Sequence, residues 1–295
     1  MALWVAVVTA LGASLCAATS STLQHRTAVD VAKRVPSQAV VTSVRATVTH
    51  RAWLAAVGLQ CAGFTLHASA LRFGRLSVVQ PLLVCAVLFA LPLNRLLRKE
   101  PITRRELGWA ALLVVGLAGF LTAGAPSGPA AGQAVDVPAA VVVAAVGGLV
   151  VAGCAVAATR VARPVAAALL AGASGVLFAG EAALLKASVG LLGHGLGTVL
   201  TSWQPYALVV VGLGGVVFSQ LAFRSGPLSA SLPVSATVNP VLGVPIGALV
   251  YNERVRGSVV AVLAECAFLL LLTLSAVVLV RLEQRASQEA HRTVG

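Results

Sequence analysis

Residues 137–158 read VPAAVVVAAVGGLVVAGCAVAA, an unbroken apolar run without one charged side chain. As a helix rising 1.5 Å per residue it would be about 33 Å long, enough to cross a hydrocarbon core of ~30 Å. A soluble helix would need a polar face somewhere in that length. The run therefore predicts a transmembrane helix, and the same signal recurs on both sides of it. Nine spans follow, at about 2–23, 53–73, 76–97, 107–125, 137–158, 165–189, 204–223, 228–250 and 258–280. The whole chain agrees: 58% of its 295 residues are hydrophobic and 10% charged, against about a quarter charged in an ordinary soluble domain. The expected fold is an all-α membrane protein of about nine transmembrane helices forming one membrane domain over 1–295.

The segment 24–52 breaks the apolar pattern. It carries Arg26, Lys33, Arg34, Arg45 and Arg51 with Asp30 and Pro36. Each charge near a bilayer centre costs about 2.5–3.5 kcal/mol, so the segment is read as a basic cytoplasmic connection, with 38–49 suited to a short surface helix. A tenth span hidden there would move only the N-terminus to the other side. The first span resembles a signal peptide, yet it lacks a basic start, and Leu15 before Cys16 spoils a lipoprotein cleavage site; it is kept as a span.

Lys and Arg distribute unevenly between the two sides. Sixteen fall on the side of 24–52, of Arg95–Arg105, of Arg160 and Arg163, of Arg224 and of the 281–295 tail; Arg72, Arg75, Arg254 and Arg256 fall on the other. The positive-inside rule places the richer side in the cytoplasm. A bacterial plasma membrane with the N-terminus outside and the C-terminus inside is expected. The net charge of +12 then orients helices, and nucleic acid is not an expected partner. The cysteines, Cys16, Cys61, Cys85, Cys154 and Cys266, lie singly in apolar runs and suit packing better than a disulfide framework or a zinc site.

Two stretches of the chain resemble each other. Gly74, Leu76, Ser77 and Pro81 recur as Gly226, Leu228, Ser229 and Pro233, and Gly63 and Ala70 as Gly215 and Ala222, all 152 residues on; Pro92 and Glu100 recur as Pro245 and Glu253, 153 on. The third and eighth spans are thereby matched five crossings apart. An odd number of crossings reverses direction, so the repeat is inverted, with halves at 53–125 and 137–280. Inverted repeats typify secondary transporters.

The run Ala70-Leu71-Arg72-Phe73-Gly74-Arg75-Leu76-Ser77, followed by Gln80-Pro81-Leu82-Leu83, resembles the drug/metabolite transporter superfamily, EamA-like, in which one helix ends in such a turn and the next opens with a proline-containing stretch. The helix ends Arg98-Lys99-Glu100 and Tyr251-Asn252-Glu253 match the same pattern. The nine spans and the form VVQPLL lean to the branch similar to NIPA magnesium transporters. The resemblance covers about 53–280. It implies a carrier that alternates access to a small solute: a metabolite, a drug-like organic cation or a divalent cation such as magnesium. The chain departs from the pattern in lacking an apolar second helix after its first span.

Glu181 and Glu265 are the acidic residues that fall within these spans, at about 13 Å and 10 Å from the outer end of theirs, and His67 lies near the same depth. An intramembrane carboxylate is costly and usually faces a cavity or a partner. A shared layer of Glu181, Glu265 and His67 would suit a proton relay or cation site; neutral packing, or for Glu265 a reach to Arg254 or Arg256, is the structural alternative. Lys186 stands about 140° round the helix from Glu181 and is expected to snorkel to the outer headgroups, the alternative being an anion contact or a counter-ion in the cavity. The eighth span holds Pro233, Asn239, Pro240 and Pro245. Proline frees a backbone carbonyl, and Asn239 adds an amide near the midplane, where broken helices of carriers bind solute. Gln60, Gln80 and Gln220 are further polar candidates. Ala167, Ala171, Gly175, Ala179, Ala183 and Ala187, four apart, let other helices approach and place the sixth span centrally.

Neither a phosphate-binding loop nor a HExxH, GxSxG or GxGxxG motif occurs in a fitting context, so no catalytic role and no cofactor is expected. The alternatives to a carrier are a non-transporting accessory membrane subunit and, further off, an intramembrane enzyme. Expected partners are the small solute or ion and membrane lipid, with a homodimer as an open assembly.

Overall fold

The computed structural model describes residues 2–34, 50–123, 135–225, 228–253 and 259–294, and every regular element among them is a helix. In chain order these are α1 (Ala2–Arg34), α2 (Arg51–Phe73), α3 (Leu76–Leu83), α4 (Cys85–Arg98), α5 (Arg104–Ala123), α6 (Val137–Ala158), α7 (Arg163–Leu191), a 3-10 turn at Leu192–His194, α8 (Leu196–Thr201), α9 (Gln204–Ser225), α10 (Leu228–Val250) and α11 (Val259–Val294). Among the described residues, eight stretches are long and apolar enough to cross a membrane, with α3 and α4 together forming one of them, Leu76–Leu97. The helix α10 occupies the position of the eighth expected span and has an apolar part, Thr237–Val250. The chain is a multi-pass α-helical membrane protein.

Two helices run well past their expected ends. From 24 to 34 nothing in the sequence interrupts α1, which persists until just before Pro36, where the residue preceding a proline is pushed out of the helical region. Likewise no Gly or Pro follows 257 until Gly295, and α11 continues through the stretch taken as a tail. The expected surface helix at 38–49 lies outside the described residues.

Another difference concerns the broken helix. It was expected in the eighth span, yet α10 is continuous from Leu228 to Val250. The interruption falls in the repeat partner, at Val84 between α3 and α4. There the Val84 N–H reaches the Pro81 carbonyl at 3.2 Å, a shorter turn than the α-helical ladder makes. The Ser14 hydroxyl of α1 lies 2.9 Å from the Ala10 carbonyl and 3.2 Å from that of Leu82, offering a donor where the helix ladder fails.

The interior is assembled by close approaches at small residues, as expected where lipid removes the hydrophobic drive between helices. The helix α7 is central and packs against α6, α9 and α10. Ala167, Ala171, Gly175 and Ala179 of its small-residue stripe are buried. A Cβ at Gly175 would lie 2.6 Å from Val238 of α10, and one at Gly215 of α9 would lie 2.8 Å from Phe178 of α7. The Ser174 hydroxyl donates to the Gly215 carbonyl at 2.8 Å. In the other half α1 packs against α2, α3 and α4, and α5 lies along α11. By contrast, α6 buries no residue; Val141, Val142, Val146 and Leu149 face outward, as on a lipid-facing helix. The five cysteines are free thiols.

Candidate functional site: a polar seam between α3 and α10

The site begins where α2 ends. Gly74 closes that helix in extended conformation, its N–H bonded to the Ala70 carbonyl. Ala6 of α1 and Val79 crowd it so closely that a side chain there would stand 2.7 Å from the Ala6 methyl. This tight turn delivers Arg75 as the residue that opens α3. Arg75 is 3% exposed.

Facing it is the C-terminal end of α10. Asn252 adopts a left-handed conformation, φ 49°, which halts the helix and turns Glu253 inward. Glu253 is 3% exposed. Its carboxylate accepts the Leu76 N–H at 2.8 Å and the Ser77 N–H at 2.9 Å, capping the first turn of α3. Free N–H groups at a helix start are a natural anion site. The Lys186 ammonium of α7 completes the cluster by pairing with the same carboxylate. It also lies 4.6 Å from the centre of the Tyr251 ring, and the Tyr251 hydroxyl donates to the Ala183 carbonyl at 2.6 Å. Burial would raise the Glu253 carboxyl, but Lys186 and the Ser77 N–H outweigh it and hold the group below the ordinary carboxylate range.

Glycines set the spacing along the seam. A Cβ at Gly247 would run into the Glu253 carboxylate, and one at Gly243 would lie 2.5 Å from Gln80 Cγ. Asn239, Gly243 and Gly247 recur every four residues and so share one face of α10. Gln80 is 1% exposed, and neither end of its amide has a hydrogen-bond partner among the described residues; the same holds for Asn239 Oδ1. Pro240 is buried beside Asn239. The seam thus joins an ion-paired end to unpaired amides further along the helices.

The residues expected to matter fall into three groups. Asn239 and Pro240 lie on the helix that forms the seam. Lys186 does too, but as a correction: it does not snorkel. It is 8% exposed and is Glu253's counter-ion, because the helix face away from Glu181 points to the end of α10. Glu181, Glu265 and His67 are not brought together by any hydrogen bond. Glu181 packs against α9, its Cγ 3.5 Å from where a Cβ of Gly212 would be. Glu265 is buried on α11, which packs on α5 and α10. Neither carboxylate has a hydrogen-bond or ion-pair partner among the described residues, and His67 Nε2 is buried without one. Arg254 and Arg256, the alternative partners of Glu265, lie outside the described residues, and of Pro233 only its place on α10 is described. No group of three or more His, Cys, Asp or Glu is placed to hold a metal among the described residues.

Arg75 and Glu253 were missed as site residues. Their signal was present, since Glu253 recurs with Glu100, but in sequence Arg75 reads as one of the cations that orient the chain and Glu253 as a helix end.

A second charged cluster lies at the opposite end of the bundle. Lys99, φ 57°, ends α4, and Arg95 pairs with both Glu100 and Glu106. Glu106, 1% exposed, also accepts the Thr103 N–H at 2.8 Å.

An uncharacterized protein of Corynebacterium glutamicum is 31% identical to this chain over 255 residues, which cover 84% of this chain and 85% of the relative. No family model matches the chain, and no solved structure matches it. With that identity spread across most of both proteins, the chain belongs to the same family as the Corynebacterium glutamicum protein.

Proposed function

We propose that the protein is a secondary transporter of a small solute, working by alternating access across a bacterial plasma membrane, with the Arg75 end outside. The observation that carries this reading is the seam. Gln80 and Asn239 keep buried amide atoms without partners in a membrane interior, where an unpaired polar group is expensive. A passive accessory subunit has no use for them; a carrier uses such groups to replace the water around its solute. Support for the inverted repeat comes from the backbone: the two left-handed non-glycine residues among the described residues, Lys99 and Asn252, stand 153 apart. That is the offset at which Pro92 and Glu100 recur. The packing of α1 on α2 and α3–α4 parallels that of α7 on α9 and α10. In this reading α6 is the helix without a counterpart, and the EamA-like likeness extends to a chain of four plus five spans.

The test is uptake by proteoliposomes over metabolites, organic cations and divalent cations, with and without an imposed pH gradient. Wild-type protein is expected to move one class in saturable fashion. Glu181→Gln is expected to fold normally and to lose any gradient-driven component, since Gln keeps the shape and cannot change charge. Saturable uptake of nothing across the panel would count against a carrier; full gradient-driven flux by Glu181→Gln would remove Glu181 from coupling.

A further inference from the structure

We infer that Arg75 is the binding point for an oxyanion, a carboxylate or a phosphate group, at the end of the α3–α10 seam. Both terminal nitrogens of its guanidinium, Nη1 and Nη2, are buried, and neither has a hydrogen-bond partner among the described residues. An arginine cannot escape this by losing its proton, and a desolvated charge without a counter-charge is strongly unfavourable. The fold nevertheless holds the group there, behind the tight turn at Gly74.

Among the described residues no carboxylate is left to answer it. The cluster sets two cations, Arg75 and Lys186, which lie within electrostatic range of each other, against one carboxylate. Both oxygens of Glu253 are already engaged, Oε1 by Leu76 and Lys186 and Oε2 by Ser77. Asp136, the other acid at this end, accepts the Ala139 N–H at 3.0 Å and caps α6. Glu100 and Glu106 hold Arg95 at the far end, where Asn94 reaches Glu283. Glu181 lies against α9, and Glu265 is on α11. The stretches 124–134 and 254–258, outside the described residues, contain no Asp or Glu in their sequence. The two remaining acids are remote. Ala6 of α1 touches Gly74, so Asp30 lies about 36 Å further along that helix. Glu289 lies about 45 Å along α11 from its first residue, Val259. One monoanion would bring the cluster to neutrality.

The guanidinium also selects the shape of that anion. With both terminal nitrogens unengaged, it presents a fork of parallel donors that matches two oxygens of a carboxylate or phosphate better than a spherical halide. Two sources supply such a group: the acidic head of a carried solute, or the phosphodiester of a lipid. As an anion site the assignment stands on Arg75 alone; as the head-group subsite of a carried solute it rests on the transport reading.

The experiment therefore reads binding without transport. Full-length protein in neutral detergent is unfolded thermally at constant ionic strength, with sodium phosphate or sodium acetate replacing sodium chloride. A saturable rise of the midpoint by several degrees is expected for the oxyanions and not for chloride, reduced in Arg75→Lys and lost in Arg75→Gln. In parallel, the protein is reconstituted in phosphatidylcholine vesicles with or without phosphatidylglycerol. Stabilisation by phosphatidylglycerol alone, again lost in Arg75→Gln, supports the site and assigns it to lipid; stabilisation by the free oxyanions assigns it to solute. If wild-type protein responds to neither, the inference is overturned, whether or not the Arg75 variants fold. It is equally overturned if Arg75→Gln responds as wild type does. A failed uptake screen with intact oxyanion binding would sink the carrier and leave this site standing.

Discussion

The two ends of the bundle use one device with opposite charge. At each, a left-handed residue stops a helix and hands the chain to a glutamate: Lys99 then Glu100, Asn252 then Glu253. Around Glu100 a single guanidinium, Arg95, is shared between two carboxylates. Around Glu253 two cations share one carboxylate, and Arg75 is left over. The reach differs as well. The Arg95 cluster spans residues 95–106 and fastens one helical hairpin, whereas Glu253 fastens α10 to Leu76, Ser77 and Lys186, partners 177, 176 and 67 residues away. A local cluster organises a turn; the long-range one holds halves of the molecule together, so breaking it should matter more.

The largest effect is expected from Glu253→Gln, which leaves the buried cations Lys186 and Arg75 without their shared carboxylate. Leaving one partner of a buried pair uncompensated costs about 3–5 kcal/mol, which thermal unfolding in detergent would read as a large drop in midpoint. Adding Lys186→Met to that variant should recover part of the loss, and a Glu253→Gln variant as stable as wild type would dissolve the contrast between the ends. The pH dependence follows from the lowered Glu253 carboxyl. Its contribution is complete above the ordinary carboxylate range and is lost as pH falls through the lowered folded value; Glu253→Gln should flatten that acid limb.

Gly247→Ala should come next. The added methyl would press on the Glu253 carboxylate and lie 3.1 Å from the Ser77 nitrogen, an overpacking that costs about 1–3 kcal/mol. Gly108→Ala, with nothing within 4 Å of the new methyl, is the matched control; equal losses in the two would show that the seam is not tightly closed.

The smallest effect is expected at the other end. Arg95→Gln removes the shared cation, but Glu106 keeps the Thr103 N–H and hydroxyl, so the loss should be about 1–2 kcal/mol. A loss as large as that of Glu253→Gln would make the two ends equivalent and erase the distinction in reach.

The membrane fold was legible because each span is a local signal: an apolar run such as 137–158 needs no partner to be recognised. The break at Val84 was not. Pro81 and Pro92 flank it, yet Pro233, Pro240 and Pro245 sit within a helix that stays continuous, so proline alone does not say which span will part. The Ser14 hydroxyl that approaches the Leu82 carbonyl there comes from another helix. For the site, Asn239 and Pro240 were readable as polar and helix-breaking residues in an apolar run. Lys186 was identified and assigned to the headgroups because its nearest acid in sequence, Glu181, faces elsewhere; its partner is 67 residues on. Arg75 looked like one more loop cation in the count that orients the chain. Only packing shows that the turn at Gly74 folds it inward.

The interruption at Val84, a residue that itself keeps helical angles (φ −62°, ψ −22°), sets α3 off as a short segment of its span. Its eight residues make a rod about 12 Å long, and a tilt of roughly 10° about Val84 would swing the Arg75 end through about 2 Å. A hydrogen bond of 2.8 Å from the Leu76 N–H to Glu253 does not survive such a stroke. The Glu253 carboxylate therefore fixes the angle at which α3 stands, and with it the positions of Arg75 and Gln80, which that one short rod carries.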